Sequence, residues 1–149
     1  MKNKPSPEFH ATLGALLRRP YERMVVSLYA ELGQQGFDEV RPAFSAVLRN
    51  LPPAGARVSD LALQADMTKQ SIGYLVDQMV AVDLVEVTPD ATDRRANVVK
   101  LTPRGTEVVM AIIELSRKFE AECAAQIGEQ KMARLRVLLT ELNRHLDAA

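Results

Sequence analysis

A group of polar and small side chains recurs at the spacing of one helix face between residues 68 and 81. The group consists of Lys69, Gln70, Gly73, Tyr74 and Gln78, with Asp77 among them. Lysine can reach phosphate or guanine, glutamine can read adenine, and tyrosine can bond to phosphate or touch a thymine methyl. Gly73 permits close approach, although glycine costs up to about 1 kcal/mol of helix stability relative to alanine. The face predicts a contact with the DNA major groove, and a solvated helix surface is the alternative.

A second charged group lies in the turn-rich stretch of residues 88–97. Asp93 and Arg95 are two residues apart, so in an extended hairpin both side chains lie on one face, where the carboxylate can hold the guanidinium outward. Arg94 adds a second positive charge. Because a narrow minor groove attracts a positioned arginine, the tip predicts a minor-groove contact. The alternative is an ordinary surface ion pair.

The elements that must position these groups follow a recognisable order. Residues 59–65 and 68–81 are predicted to form two short helices joined by a tight turn, with Ser59 and Thr68 as N-caps. The second helix buries an apolar face made of Ile72, Leu75, Val76 and Met79. Residues 84–87 and 98–101 are rich in β-branched residues and predict a hairpin. This order predicts a winged helix-turn-helix in a mostly α (α+β) fold.

Helical extensions are predicted on both sides of this lobe. A long helix starts at Leu13, ends at Gly33 or Gly36, and contains Pro20, where we expect a kink or break. A second helix starts at Pro42 and runs to about residue 51. Residues 102 and 103, a threonine and a proline, open another helix, and Gly128 separates it from the last one.

The outer helices carry apolar stripes with no neighbouring sheet or segment large enough to cover them. Leaving such a stripe exposed would forgo several kcal/mol, at roughly 25 cal/mol per Å². We therefore expect a two-fold homodimer whose interface is formed by the N-terminal and the two C-terminal helices. Packing of these helices on one another within one chain is the alternative.

The composition is that of an ordinary globular domain. The 149 residues include 19 basic and 19 acidic side chains, and 47% are hydrophobic. The longest apolar run, residues 108–113, is far shorter than the roughly 20 residues that a membrane span needs. The polar N-terminus lacks the apolar segment of a secretory signal, so we expect a cytoplasmic protein. Residues 1–10 are expected to form a flexible arm.

The sequence lacks the motifs of an enzyme or a metal centre. No phosphate-binding glycine loop, nucleophile elbow or zinc-protease helix is present. The single cysteine, Cys123, falls on an apolar stripe, which favours a structural role over a redox sensor. His10 and His145 have no ligand spacing to each other or to Cys123. We expect no catalytic residues, no metal and no cofactor.

Three segments together resemble the MarR family of bacterial transcriptional regulators. They are residues 61–79, which hold the two short helices, the Asp-Arg-Arg sequence at residues 93–95, and the Val-Lys-Leu-Thr-Pro-Arg-Gly sequence at residues 99–105. The resemblance extends from about Leu13 to the C-terminus. The wing sequence followed by Leu-Thr-Pro-Arg-Gly is its most specific part.

The resemblance implies a homodimer that binds a pseudo-palindromic DNA operator, probing the major groove with residues 68–81 and the minor groove with Arg95, oriented by Asp93. It implies one MarR-like domain, residues 11–149, with a DNA-binding lobe at about 57–102 and dimerisation helices at about 11–36 and 103–147. It also implies a repressor released by a small aromatic or phenolic effector, bound between the lobe and the dimer helices. We expect Tyr29 or Phe44 to line that crevice.

This chain also departs from the family. Tyr74 and Gln78 stand where relatives often have arginine or lysine, and Gly73 stands where they have serine or threonine. Residues 57–105 hold six basic and seven acidic side chains, which weakens the electrostatic attraction to DNA. Either binding is modest and salt-sensitive, or arginines outside this lobe help: Arg18, Arg19, Arg23, Arg41 and Arg49. The alternative function is a winged-helix protein-interaction module with weak or no DNA binding.

Overall fold

The computed structural model describes residues 7–90, 93 and 96–148. The helices are α1 (Pro7–His10), α2 (Leu13–Gln34), a 3-10 turn (Pro42–Phe44) continuing into α3 (Ser45–Leu48), α4 (Val58–Gln64), α5 (Lys69–Ala81), α6 (Pro103–Ile127) and α7 (Glu129–Asp147). The strands are β1 (Ala56–Arg57), β2 (Val85–Pro89) and β3 (Asn97–Leu101). This confirms the predicted mostly helical fold with a winged helix-turn-helix lobe between helical extensions.

The wing is part of a three-stranded antiparallel sheet with strand order β1-β3-β2. Val87 pairs with Val99 in the hairpin, and Ala56 pairs with Val99 from the other side. The pairing of β2 with β3 confirms the hairpin predicted from residues 84–87 and 98–101. The sequence analysis missed β1, because a strand of two residues is too short for an alternating pattern to show.

The helix-turn-helix confirms one predicted cap and corrects another. Thr68 caps α5, since its hydroxyl accepts a hydrogen bond from the Ser71 amide at 3.1 Å. Ser59 is not a cap, because α4 begins one residue earlier, at Val58, and Ser59 lies inside the first turn. The predicted apolar face of α5 is buried at all four positions: Ile72, Leu75, Val76 and Met79.

The outer helices agree with most of the predicted boundaries. Helix α2 runs through Pro20 without a break, because one missing backbone donor leaves the neighbouring hydrogen bonds of a 22-residue helix in place. The predicted helix after residue 41 is shorter than expected, since it ends at Leu48. Gly128 separates α6 from α7 with a φ of 99°, a conformation that glycine adopts without strain.

The start of α6 is joined tightly to the sheet. The Thr102 hydroxyl accepts a hydrogen bond from the Gly105 amide at 2.9 Å and donates one to the Asp83 carbonyl at 2.5 Å. A Cβ on Gly105 would lie 1.9 Å from the Leu84 carbonyl oxygen, so only glycine allows this approach. The first turn of α6 is therefore held closely against the residues that lead into β2.

The core lies in the helix-turn-helix lobe and continues between α2, α3 and α6. Met67 and Val87 are 37% and 43% exposed. Met67 lies in the turn before α5, and Val87 lies farther out along the wing than Val85, which shares its face and is buried. Helix α2 packs on α6, and α6 packs on α7. Helix α7 buries none of its residues. It carries a row of exposed apolar side chains that includes Leu135, Leu138 and Leu146.

Candidate DNA-contacting surface and neighbouring cavity

The outer face of α5 presents the side chains that the sequence analysis singled out. Lys69, Gln70 and Tyr74 are exposed, and 65% of Tyr74 is accessible. Thr68, at the N-cap, is exposed at the same end of the helix. Gly73 lies between them, and a Cβ added there would meet no atom of the protein within 4 Å. The structure therefore brings these five predicted residues together on one open surface.

Gln78 is on the same side of α5 but has a partner within the protein. Its side chain is half-buried, and its Oε1 accepts a hydrogen bond from Arg41 Nη2 at 2.5 Å. The Arg41 guanidinium carbon lies 4.9 Å from the centre of the Phe44 ring. Gln78 is thus tied to the turn before α3, which the sequence analysis did not foresee.

The base of the wing is held by a half-buried carboxylate. Asp90 Oδ2 accepts hydrogen bonds from Arg57 Nε at 2.9 Å and from Arg57 Nη2 at 2.7 Å. Asp90 Oδ1 accepts one from the Asp93 backbone amide at 3.3 Å. The hydrogen bond to Asp90 is the main cause that raises the pKa of Arg57. One carboxylate therefore joins β1 to the turn at the wing tip.

The predicted pairing of Asp93 with Arg95 is untested, because Arg94 and Arg95 lie outside the described residues. Sequence reasoning missed Arg57 and Asp90. Their positions are 33 residues apart, and only the pairing of β1 with β3 brings them together. A polar turn residue at the end of a predicted strand was the one local signal for Asp90.

A cavity of about 660 Å³ lies between α2, the segment from Pro42 to α3, and α6. Its wall is mostly apolar, with Glu22 and Arg49 as the charged residues of the lining. Tyr29 is among the lining residues, and burial is the main cause that raises the pKa of its hydroxyl, with Tyr21 adding to the shift.

Phe44 does not line this cavity, which corrects the prediction. Residues three apart share a face in a 3-10 turn, so Pro42 and Ser45 face the cavity while Phe44 points into the core. Phe44 is fully buried there, with Val47 beside it in the core.

Other candidate groups do not assemble into a site. Cys123 is half-buried on α6, on the apolar stripe where the sequence analysis placed it. Within the described part of the chain, no three His, Cys, Asp or Glu residues lie where they could hold a metal ion. None of the helices that the structure describes is long and apolar enough to cross a membrane.

Comparison with known proteins identifies this architecture. Residues 42–96, which include the helix-turn-helix and most of the wing, match the family model described as "MarR family". Over these residues the chain is similar to the MarR family. This match confirms the resemblance to that family and includes residues 61–79 and 93–95, whereas residues 99–105 lie outside it.

Known transcriptional regulators resemble this chain over most of its length. The HTH-type transcriptional repressor NicR of Pseudomonas putida is 27% identical over 123 residues, which are 83% of this chain and 72% of NicR. The crystal structure of MarR superposes with a TM-score of 0.76 at 20% identity, covering 92% of this chain and 98% of that one. The structure of Bordetella bronchiseptica BpsR, described with the regulation of its DNA binding by 6-hydroxynicotinic acid, gives 0.67 at 22% identity, with 95% and 96% covered.

Proposed function

We propose that this chain is a homodimeric, sequence-specific DNA-binding transcriptional regulator, a repressor whose release from DNA is controlled by a small aromatic ligand. The observation that carries the proposal is the outer face of α5. Its side chains suit the major groove and are exposed, while the opposite face anchors the helix in the same lobe as the wing. In this proposal Lys69, Gln70 and Tyr74 contact the major groove, and Arg95 contacts the adjacent minor groove.

The dimer is supported by the apolar surface of the outer helices. Helix α7 contributes nothing to the core of its own chain, and Leu13 and Leu16 at the start of α2 are exposed. A second copy would remove these side chains from water. Two lobes related by a two-fold axis would bind half-sites about one turn of the duplex apart. The lobe at about 57–102 and the dimerisation helices at about 11–36 and 103–147 are part of this proposal.

The ligand is supported by the cavity beside Tyr29. An apolar cavity with a few polar groups is the usual form of a small-molecule site, and its volume is within the common range. The Tyr29 hydroxyl can hydrogen-bond to a phenol or a ring nitrogen, and Arg49 can pair with a carboxylate. NicR is named a repressor, and BpsR is described as regulated by an aromatic acid, which is consistent with the same class here.

A matched pair of charge removals tests the DNA contact. Genomic fragments selected with the purified protein provide the duplex, and fluorescence anisotropy gives its affinity over a range of salt concentrations. We expect Lys69→Ala to weaken binding about tenfold and to reduce the salt dependence, because it removes a phosphate or base contact. Arg144→Ala removes the same charge from an exposed position on the side of α7 opposite its apolar row and should leave binding within about twofold of the parent. Equal effects of the two variants would refute the proposed surface.

The wing and the dimer need separate measurements. Arg95→Ala should cost roughly 1 to 3 kcal/mol of DNA binding and leave the melting temperature nearly unchanged. Sedimentation should show a dimer at micromolar concentration. Reporter expression with and without the gene should show whether the bound promoter is silenced or activated, and activation would contradict the repressor assignment.

A winged-helix protein-interaction module is the second candidate function. It is favoured by exposed apolar side chains in the helix-turn-helix: 82% of Leu63 is accessible, and Met67 and Tyr74 are exposed as well. The absence of excess positive charge in this lobe points the same way. Binding that does not depend on salt, or no selected duplex at all, would favour this second function.

A further inference from the structure

The segment from Arg41 to Arg49 has two sides that face different parts of the protein. Pro42, Ser45 and Arg49 line the cavity. Phe44 and Val47, on the other side, are fully buried in the core that includes the apolar face of α5. The 3-10 turn and α3 both pack against α5. One short segment therefore separates the cavity from α5, the proposed recognition helix.

Arg41 forms a polar link from this segment to the outer face of α5. It is the N-cap of the 3-10 turn, immediately before Pro42 in the cavity wall. Its Nη2 donates to Gln78 Oε1 at 2.5 Å, and its guanidinium lies over the Phe44 ring at 4.9 Å. Gln78 is one helical turn beyond Tyr74, so the bond attaches to the side of α5 that carries the predicted DNA contacts.

We propose that Arg41 is a positioning residue that couples occupancy of the cavity to the recognition helix through its hydrogen bond to Gln78. This inference rests on the proposed function. A ligand that presses on Pro42 and Ser45 moves the residue next to them, and a hydrogen bond weakens steeply once its distance and angle leave a narrow range. Without a ligand, Arg41 therefore holds α5 through this hydrogen bond. A bound ligand releases or rotates the helix. A ligand shifts DNA affinity only through such a difference between the two states.

A covalent occupant tests this coupling without knowledge of the natural ligand. Ser116 lines the cavity from α6, and its hydroxyl donates a hydrogen bond to the Ile112 carbonyl at 2.7 Å. Ser116→Cys in a Cys123→Ser background reacts with 5,5′-dithiobis(2-nitrobenzoate), which attaches an aromatic acid by a disulfide. The absorbance of the released thiolate counts the labelled sites, and dithiothreitol removes the label. The same background with Arg41→Ala provides the comparison.

The readout is the ratio of DNA affinity with and without label within each variant, so any change in basal affinity cancels. We expect labelling to weaken binding about tenfold when Arg41 is present and less than about twofold in Arg41→Ala. Equal losses in both would overturn the coupling role of Arg41 while leaving ligand control intact. No loss in either would overturn the coupling together with ligand control at this cavity, and DNA binding as such would stand.

Hydrogen exchange gives a second measurement that needs neither the label nor DNA. If Arg41 holds α5, Arg41→Ala should speed amide exchange in residues 74–81 and leave α7 unchanged. Unchanged exchange in residues 74–81 would overturn the proposal. If no duplex is selected, the proposed function fails, while faster exchange in this segment would still show that Arg41 positions the helix.

Discussion

Replacing Gly73 by alanine should move stability and DNA binding in opposite directions. Gly73 lies inside α5 without a positive φ, and a Cβ there meets no atom of the protein within 4 Å. Alanine should therefore stabilise the fold by up to about 1 kcal/mol, the difference in helix propensity. For a chain of this size that corresponds to a rise in melting temperature of about 3 °C.

The same methyl group should weaken DNA binding. It would stand between Lys69 and Asp77, one turn away on either side, on the surface that we place in the major groove. Because the protein has room for the methyl, any loss of affinity must arise at the contact with the duplex. We expect a loss of about tenfold, equivalent to about 1.4 kcal/mol.

Thermal melting and anisotropy with the selected duplex measure the two effects, and Gly33→Ala is the matched control. Gly33 is also half-buried and helical, and the nearest atom to its added Cβ is Asp38 Cβ at 4.0 Å. This variant should gain stability and keep its DNA affinity. If Gly73→Ala melted higher and bound the duplex as tightly as the parent, then this face of α5 would not approach DNA closely.

Two further predictions concern the cap of α6 and the cavity. Thr102→Ala should cost about 1 to 2 kcal/mol in urea unfolding, because the Gly105 amide and the Asp83 carbonyl both lose a partner, whereas Thr102→Ser should keep most of the stability. Equal losses would show that the methyl group, not the hydroxyl, matters. Burial raises the pKa of Tyr29, so its contribution to stability is full below about pH 10, the value for the unfolded chain, and is lost as the pH rises through the higher native value. Absorbance titration should show one of the three tyrosines ionising late, and Tyr29→Phe should remove that step; if the late step persisted, another tyrosine would be responsible.

The sequence predicted those parts of the fold that are determined locally. Thr68 and Thr102 were identified as caps because a cap depends on residues within one turn. The two strands of the wing were identified from β-branched residues, which suit a half-buried sheet. Ser59 was wrongly assigned as a cap because a shift of one residue in a helix start moves the cap to another side chain.

The parts that sequence reasoning missed depend on contacts between distant segments. Arg57 and Asp90 meet only because β1 adds to the wing, and Gln78 meets Arg41 only because α5 packs on the turn before α3. Phe44 was assigned to the cavity because helical spacing does not distinguish a 3-10 turn from an α-helix, and the two turn different side chains inward.

Because the first turn of α6 is held closely against the residues that lead into β2, a tilt of the DNA-binding lobe would tilt α6 with it. The 25 residues of this helix span about 37 Å at 1.5 Å per residue. If the contact between the lobe and α6 does not change, tilting the lobe by about 5° displaces the C-terminal end of α6 by about 3 Å. In a dimer whose interface holds the far ends of both α6 helices, a slight change in the angle between these helices would change the distance between the two lobes by a large part of one base-pair step. Control of such an assembly requires only small movements.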